Sequence, residues 1–424
     1  MGLTPVTSAP LTVPAPELVT RTVEIPDPGA LLSLLPDEAS LAWVRHGEGL
    51  VGWGEAARFE GDGVNRFAEA ERWWNTLTRT AIVRDEVQLP GTGPVAFGSF
   101  TFDDAGESVL ILPETIVGHR DGRWWVTTVS LNGNLPPWPA LPAVSSPRRP
   151  GPVTFADGAR TGPEWESVVA EAVRRIIAGE LEKVVLARDL VAECHSIIDP
   201  RWPLHRLSDR YPRCWTFSVD GTLGATPELL VRRERGLVTS RVLAGTIRRT
   251  RDDIHDLALA ASLARSSKDL EEHEFAVRSV ADALAPFCSS MNVPETPFVL
   301  HLSNVMHLAT DLAGVASGNA SSLALAAALH PSAAVGGTPT DTAQAVIREI
   351  EGLDRGRYAA PVGWIDSAGD GEWGIALRCA QVDTADPSRM RLFAGCGIVA
   401  GSDPAAELAE SAAKLVPMRD ALNR

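Results

Sequence analysis

Seven prolines fall between Leu135 and Pro152, and they constrain the architecture of this chain more than any other feature of the sequence. Proline lacks a backbone N–H and fixes φ at about −65°, so such a stretch cannot form the interior of a helix or a central strand. It predicts an extended connector between two halves, residues 21–150 and residues 160–422. Residues 1–20 are expected to form a flexible tail.

Composition and charge narrow the functional classes. The 424 residues are 45% hydrophobic and 22% charged, which is typical of a globular protein with a large core. The net charge of −15 and the lack of a basic stripe predict that neither nucleic acid nor an anionic membrane is a partner. Five scattered cysteines predict reduced thiols in a cytoplasmic protein, and we expect a monomer.

The apolar pattern predicts groups of strands with helices between them. Helices are predicted at Val64–Thr78, from Pro163 to Gly179, between Asp252 and Cys288, and from an N-cap at Ser402. Because the strands are grouped, the order favours an α/β chain of the α+β type over regular βαβ winding. The predicted strands are Leu41–Val44, Gly49–Trp53, Val95–Gly98, Trp124–Val129, Lys183–Arg188, Thr216–Val219, Leu237–Leu243, Pro361–Trp364, Trp373–Val382 and Arg391–Phe393.

Two predicted helices carry acidic faces. Asp269 and Glu272 stand at i and i+3 on one helix, and Glu407 and Glu410 stand at i and i+3 on another. Together, two such faces would offer carboxylates to a hard cation such as Mg²⁺. Spacing alone also fits two ordinary solvated faces.

A lysine and a glycine-rich run are further candidates. Lys183 begins an apolar strand, where a lysine can act as a base or extend its ammonium group to solvent. The run His330–Pro339 contains Gly336 and Gly337, which would let the backbone approach a ligand or simply form a turn. No GxSxG motif and no Walker loop is found.

Short motifs follow one another through the second half of the chain: Lys183–Arg188, Thr226–Leu230, Leu243–Thr246, Lys268–His273, Val305–Leu308, His330–Pro339, Arg355–Tyr358, Gly371–Trp373, Ala376–Arg378, Ala394–Val399 and Glu407–Lys414. In this order they resemble the chorismate-binding enzyme family, which includes isochorismate, salicylate, anthranilate and aminodeoxychorismate synthases. The resemblance implies one large catalytic domain over residues 21–424, with two packed β-sheets and helices outside. Residues 21–150 would be its divergent half.

The resemblance also implies roles for individual residues. Glu272 and Glu410 would hold Mg²⁺, with Glu407 and Asp269 as acidic neighbours. The enolpyruvyl carboxylate of chorismate would be bound by Arg378, Tyr358, Lys414 and the backbone at Gly395 and Gly397, and the ring site would be lined by Gly245, Thr246, His307 and Thr310. Since chorismate carries two carboxylates and the protein is acidic, each carboxylate needs a cation, and Mg²⁺ with Arg378 and Lys414 supplies them.

The residue at Lys183 distinguishes members of this family, because those that add water carry lysine there. The resemblance implies that Lys183 deprotonates a water that attacks C2 of the ring, while Glu228 protonates the departing C4 hydroxyl. We therefore expect an isochorismate synthase that serves menaquinone or siderophore biosynthesis. A salicylate synthase, which also eliminates pyruvate, and a non-catalytic anion-binding relative remain alternatives.

Overall fold

The computed structural model describes residues 17–37, 40–138, 141–143, 145–250, 252–301 and 305–423, without the side chains of Thr246, Arg248, Lys268 and Glu272. Within these ranges the strands are β1 (Val19–Ile25), β2 (Leu41–Arg45), β3 (Glu48–Trp53), β4 (Ala57–Gly61), β5 (Ile82–Asp85), β6 (Val95–Ser99), β7 (Ser108–Leu112), β8 (Thr115–Arg120), β9 (Arg123–Ser130), β10 (Val153–Asp157), β11 (Lys183–Cys194), β12 (Trp215–Val219), β13 (Thr222–Thr226), β14 (Leu229–Glu234), β15 (Leu237–Arg248), β16 (Cys288–Asn292), β17 (Phe298–His301), β18 (Val305–Ala316), β19 (Gly337–Thr338), β20 (Pro361–Asp366), β21 (Gly371–Ile375), β22 (Cys379–Val382) and β23 (Arg389–Ile398). The α-helices are α1 (Arg66–Thr78), α2 (Gly162–Ile177), α3 (Arg201–Arg210), α4 (Asp253–Leu263), α5 (Ser267–Leu284), α6 (Ser322–Ala328), α7 (Thr340–Ile350) and α8 (Pro404–Asn423).

The described strands form two large sheets. The larger sheet has the order β10-β11-β23-β22-β13-β12-β2-β3-β8-β9-β1-β5, with β19 also paired to β11. The smaller sheet has the order β16-β18-β15-β14-β21-β20-β6-β7-β4, with β17 also paired to β18. Strands from both halves of the chain hydrogen-bond to each other in each sheet, because β2 pairs with β12 and β6 pairs with β20. The mixed α/β class expected from the sequence is confirmed.

The main core lies between the two sheets. It contains Trp43 and Phe217 of the larger sheet and Phe97 and Trp373 of the smaller sheet, each almost fully buried. On the other face of the larger sheet, neighbours of Trp43 such as Val44 pack in a second cluster with side chains of α3 and α8. Alternating side chains of one strand therefore serve two apolar layers, which explains the near-continuous apolar run in β2.

Helix ends follow local capping chemistry. Helix α2 begins with a capping box, in which Thr161 and Glu164 satisfy each other's backbone N–H groups. Helix α8 begins at Pro404, and Asp403 rather than the predicted Ser402 accepts the hydrogen bond from Ala406 N at 2.8 Å. None of the helices in the described ranges is long and apolar enough to cross a membrane.

Two further predictions from the sequence were wrong in their boundaries. Strand β1 begins at Val19, inside the segment 1–20 that was expected to be a flexible tail. The run Trp373–Val382 was predicted as one strand, but it is two: β21 lies in the smaller sheet and β22 in the larger sheet. The chain crosses between the sheets at residues 376–378.

Candidate active site

A cavity of about 240 Å³ brings together most of the residues that the sequence singled out. Its walls come from the strands β11, β15, β18 and β23, from the helices α5 and α8, and from the loops around residues 227, 334, 358 and 378. Eleven of the fifteen predicted site residues line it: Lys183, Glu228, Gly245, Asp269, His307, Tyr358, Arg378, Gly395, Gly397, Glu410 and Lys414.

Two glycines of β23 make room for longer side chains. Strands β11 and β23 pair antiparallel, with Val185 opposite Gly397. A Cβ atom at Gly397 would stand 3.0 Å from Lys183 Cε, and one at Gly395 would stand 3.0 Å from the Tyr358 hydroxyl. The absence of side chains at these two positions therefore lets the lysine and the tyrosine line the cavity.

Glu228 is a buried carboxyl group at the end of the Thr226–Glu228 turn. Its N–H donates to Thr226 Oγ1 at 3.3 Å, and its carbonyl accepts from Ile375 N at 3.1 Å. Burial raises the pKa of Glu228 to about 7, although the cations of Arg378, Lys183 and Lys414 oppose that rise. A substantial fraction of this carboxyl group is therefore a neutral acid near neutral pH, as proton donation requires.

Arg378 lies where the chain crosses between the sheets. Its φ of 50° is in the left-handed region, and its carbonyl accepts a hydrogen bond from Ala225 N at 3.3 Å. A non-glycine residue in this conformation carries backbone strain of about 1–3 kcal/mol and is common at ligand sites. The crossing thus fixes a permanent cation in the cavity wall.

A β-bulge shapes the opposite wall. The pairing between β15 and β18 shifts at Gly245, whose φ is 72°. His307 forms a hydrogen bond with the Gly245 backbone; burial, together with Arg378 and Lys414, lowers its pKa to about 4. Because of this lowered pKa, His307 is a neutral imidazole at physiological pH. A Cβ atom at Gly245 would stand 3.2 Å from Asp269 Cβ, so glycine at this position also makes room for the first turn of α5.

Acidic side chains cluster at the helical side of the cavity. The Sγ atom of Cys396 and one carboxylate oxygen each of Glu407 and Glu410 lie within 4.8 Å of one another. Lys414 Nζ is 2.7 Å from Glu410 Oε1 and donates to the Gly395 carbonyl at 2.8 Å. Burial and the neighbouring Glu410 raise the pKa of Glu407, although hydrogen bonds and the Lys414 ammonium group oppose that rise.

These donors fit Mg²⁺. Asp269 on α5 and Glu410 on α8 line the same cavity, so the two acidic faces do converge. Hard carboxylate oxygens from two helices are the ligands that Mg²⁺ prefers. Glu272 belongs to α5, but its side chain lies outside the described part of the structure, as does that of Thr246.

Thr310 is placed differently from the sequence expectation. It is buried, and its Oγ1 atom is 2.7 Å from His273 Nε2, so it lies behind the cavity lining rather than in it. This hydrogen bond connects β18, which carries His307, to α5, which carries Asp269. Thr310 therefore positions a wall of the cavity.

Sequence reasoning missed the structural role of Arg355. Its side chain is 1% exposed, pairs with Glu351 at 2.6 Å, and donates to the carbonyls of Val185 and Val335, both of which line the cavity. Glu351 in turn accepts from Ala187 N at 2.7 Å. The motif Arg355–Tyr358 marked this position in the sequence, but nothing in the motif indicated which groups Arg355 contacts.

Known proteins resemble this chain along most of its length. The family model described as chorismate binding enzyme matches residues 16–132 and 145–423. The chain is 35% identical to isochorismate synthase DhbC of Bacillus subtilis, over 80% of this chain and 83% of the relative. It is 34% identical to the salicylate biosynthesis isochorismate synthase of Pseudomonas aeruginosa, over 96% of this chain and 90% of the relative.

A solved structure leads to the same family. The 2,3-dihydroxybenzoate-specific isochorismate synthase DhbC of Bacillus anthracis superposes with a TM-score of 0.76 at 32% identity, and the match covers 92% of this chain and 98% of that chain. The chain belongs to the chorismate-binding enzyme family. Within that family, the relatives named here are all isochorismate synthases.

Proposed function

We propose that this protein is an isochorismate synthase, an isomerase that converts chorismate to isochorismate. The observation that carries the proposal is that Lys183 and Glu228 line the same cavity. Burial raises the pKa of Glu228 to about 7, so part of this carboxyl group is protonated near neutral pH. An amine and a neutral carboxylic acid are the base and the acid that exchange of a ring hydroxyl needs.

Lys183 and Glu228 would carry out the two proton transfers of the reaction. Lys183 accepts a proton from a water as the water oxygen forms a bond to C2. The ring double bonds shift, the C4–O bond breaks, and Glu228 donates its proton to the departing hydroxyl. One water enters and one leaves, so the net change is an isomerisation.

Chorismate is a dianion, so its two carboxylates would be bound by cationic groups. Arg378, Lys414, Tyr358 and the backbone at Gly395 and Gly397 would hold the enolpyruvyl carboxylate. Glu272 and Glu410, with Asp269 and Glu407 beside them, would hold Mg²⁺, which when bound neutralises the ring carboxylate. Gly245, Thr246 and His307 would surround the ring, with Thr310 behind them.

The test uses chorismate, Mg²⁺ and water enriched in ¹⁸O, with products separated by chromatography and mass spectrometry. Isochorismate carrying one ¹⁸O at C2 is the expected early product. Salicylate as the dominant early product would instead identify a salicylate synthase, and unchanged chorismate that still binds would identify a non-catalytic relative. A cytoplasmic monomer in menaquinone or siderophore biosynthesis completes the proposal.

A further inference from the structure

A second cavity adjoins the candidate active site. It has a volume of about 440 Å³, and Pro227 and Arg378 line both cavities. We call it the basic cavity, because its charged lining consists of Arg210, Arg213, Arg249 and Arg378 with one aspartate, Asp209.

The basic cavity is a positive region on an acidic protein. Four arginines and one aspartate line it, whereas the whole chain carries a net charge of −15. Arg210 is 2.8 Å from Asp420, and Arg249 is 2.8 Å from Asp256 and 3.8 Å from Asp253, so the charges of these two arginines are balanced. The remaining positive charge of the lining is that of Arg213 and Arg378, against Asp209. Arg213 donates to the carbonyl of His301 at 2.8 Å, and a carbonyl does not neutralise its charge.

Arg378 lies between the two cavities. In the basic cavity, burial raises the pKa of Cys214 to about 11, and Arg378 opposes that rise. In the active-site cavity, Arg378 opposes the rise in the pKa of Glu228 in the same way. The field of one guanidinium group therefore reaches both spaces.

Carboxyl groups on α5 and α8 line another part of the active-site cavity. Glu410 lines that cavity with a side chain that is 44% exposed, and Glu407 and Asp269 are close by. These carboxylates outnumber the ammonium group of Lys414, which is 2.7 Å from Glu410, so a dianion meets a net negative charge here whereas a divalent cation is attracted.

We propose, on the basis of the proposed function, that substrate and metal reach the active site by separate routes of opposite charge. The dicarboxylate substrate enters through the basic cavity, where Arg213 attracts it before Arg378 binds its carboxylate. The metal ion enters past the acidic side of α5 and α8. This division lets a strongly acidic protein collect a dianion without weakening the acidic site that its cation needs.

Charge reversal at the entrance tests the proposal. Arg213→Glu should lower kcat/KM for chorismate about tenfold at low ionic strength, mainly through KM, because steering toward a charged cleft is of this order or larger. The deficit should shrink as salt is added, since screening removes the steering. Arg213→Lys should retain most of the wild-type value. Arg72→Glu is the matched control, because Arg72 is 73% exposed on α1, outside the lining of both cavities.

Two measurements make the test decisive. Equal kcat/KM and equal salt dependence in Arg213→Glu and Arg72→Glu would overturn the proposed route. A fall in Mg²⁺ affinity of Arg213→Glu, measured by calorimetry, would also overturn it, because the two routes would not be separate. The association rate of chorismate, followed by tryptophan fluorescence, should show the same order of variants. It does not require turnover, so it tests the route even if the proposed activity fails.

Discussion

The two walls of the active-site cavity are built differently. The sheet wall carries Lys183, Glu228 and Arg378 on strands or on the turns that join them, and Glu228 is only 8% exposed. The helix wall carries Asp269 and Glu410 on α5 and α8, and the Glu410 side chain is 44% exposed. Burial suits a carboxyl group that must hold a proton, whereas contact with water suits carboxylates that must stay ionised and exchange a cation. The comparison therefore predicts that the sheet wall determines turnover and the helix wall determines metal affinity.

The largest effect is expected at the sheet wall. Lys183→Ala should reduce turnover by at least about 10²–10⁴-fold, because a general base typically contributes that much, while Mg²⁺ and chorismate still bind. Glu228→Gln should lose a similar factor, since the C4 hydroxyl is a poor leaving group without a proton. The control is Glu182→Ala, an exposed neighbour of Lys183. A folded Lys183→Ala protein that keeps more than about a tenth of wild-type turnover would refute the assignment.

Arg378 should act through substrate capture. Arg378→Ala leaves a desolvated carboxylate unpaired, so kcat/KM should fall by the equivalent of about 2–5 kcal/mol. Arg378→Gly removes the same cation but relieves the backbone strain at φ of 50°. Similar losses in both variants would show that the cation matters; an unchanged kcat/KM in either would mean that Arg378 is structural only.

Changes at the helix wall should alter Mg²⁺ binding rather than substrate capture. Excess chelator should abolish turnover, and Glu410→Gln should raise the Mg²⁺ dissociation constant by at least about tenfold, because a hard cation loses an anionic ligand. Binding measured by calorimetry separates this from any effect on the chemical step. Full turnover in excess chelator would remove the metal from the mechanism.

A smaller effect on Mg²⁺ binding is expected from Thr310, which lies behind the lining of the cavity. Thr310→Val removes the hydrogen bond to His273, which holds α5 against β18, and should weaken Mg²⁺ binding about tenfold, as loss of an outer-shell contact typically does. Thr310→Ser should restore the affinity. The control is Thr20→Val, which removes the hydroxyl group of a different buried threonine, one that lies in β1. If Thr310→Val binds Mg²⁺ as the control does, the hydrogen bond has no positioning role.

The smallest effect is a pH dependence that belongs to the sheet wall. Glu228 can serve as the proposed acid only when it is protonated, and its pKa is raised to about 7, so the competent fraction falls as pH rises through that value. The ratio of the wild-type kcat to the kcat of Glu228→Gln should therefore decrease about fivefold between pH 7 and pH 8, because this ratio cancels the opposite dependence that arises from the proton that Lys183 must lose. A ratio that stays constant from pH 7 to pH 9 would contradict the role of Glu228 as the acid.

The sequence motifs singled out individual residues of the candidate site, but not the geometry that brings them together. Motifs identified Lys183, Glu228 and Arg378, but nothing local indicates that β11 pairs with β23, about two hundred residues later, to bring Lys183 beside Gly397. The crossing at Arg378 was hidden because both flanking strands are apolar, so their pattern continues through the break. The role of Thr310 was also hidden, since a buried threonine gives no sequence signal for its partner.

The three-residue crossing between β21 and β22 has a mechanical consequence. A segment this short cannot absorb sliding between the two sheets, so any shear of the sandwich displaces Arg378 relative to Lys183 and Glu228. If Arg378 and the helix wall both bind the substrate, as proposed, the bound substrate would connect the two sheets and restrict this shear. Amide hydrogen exchange in β21 and β22 should slow when chorismate is bound, because the opening motions that expose these strands must first release the ligand.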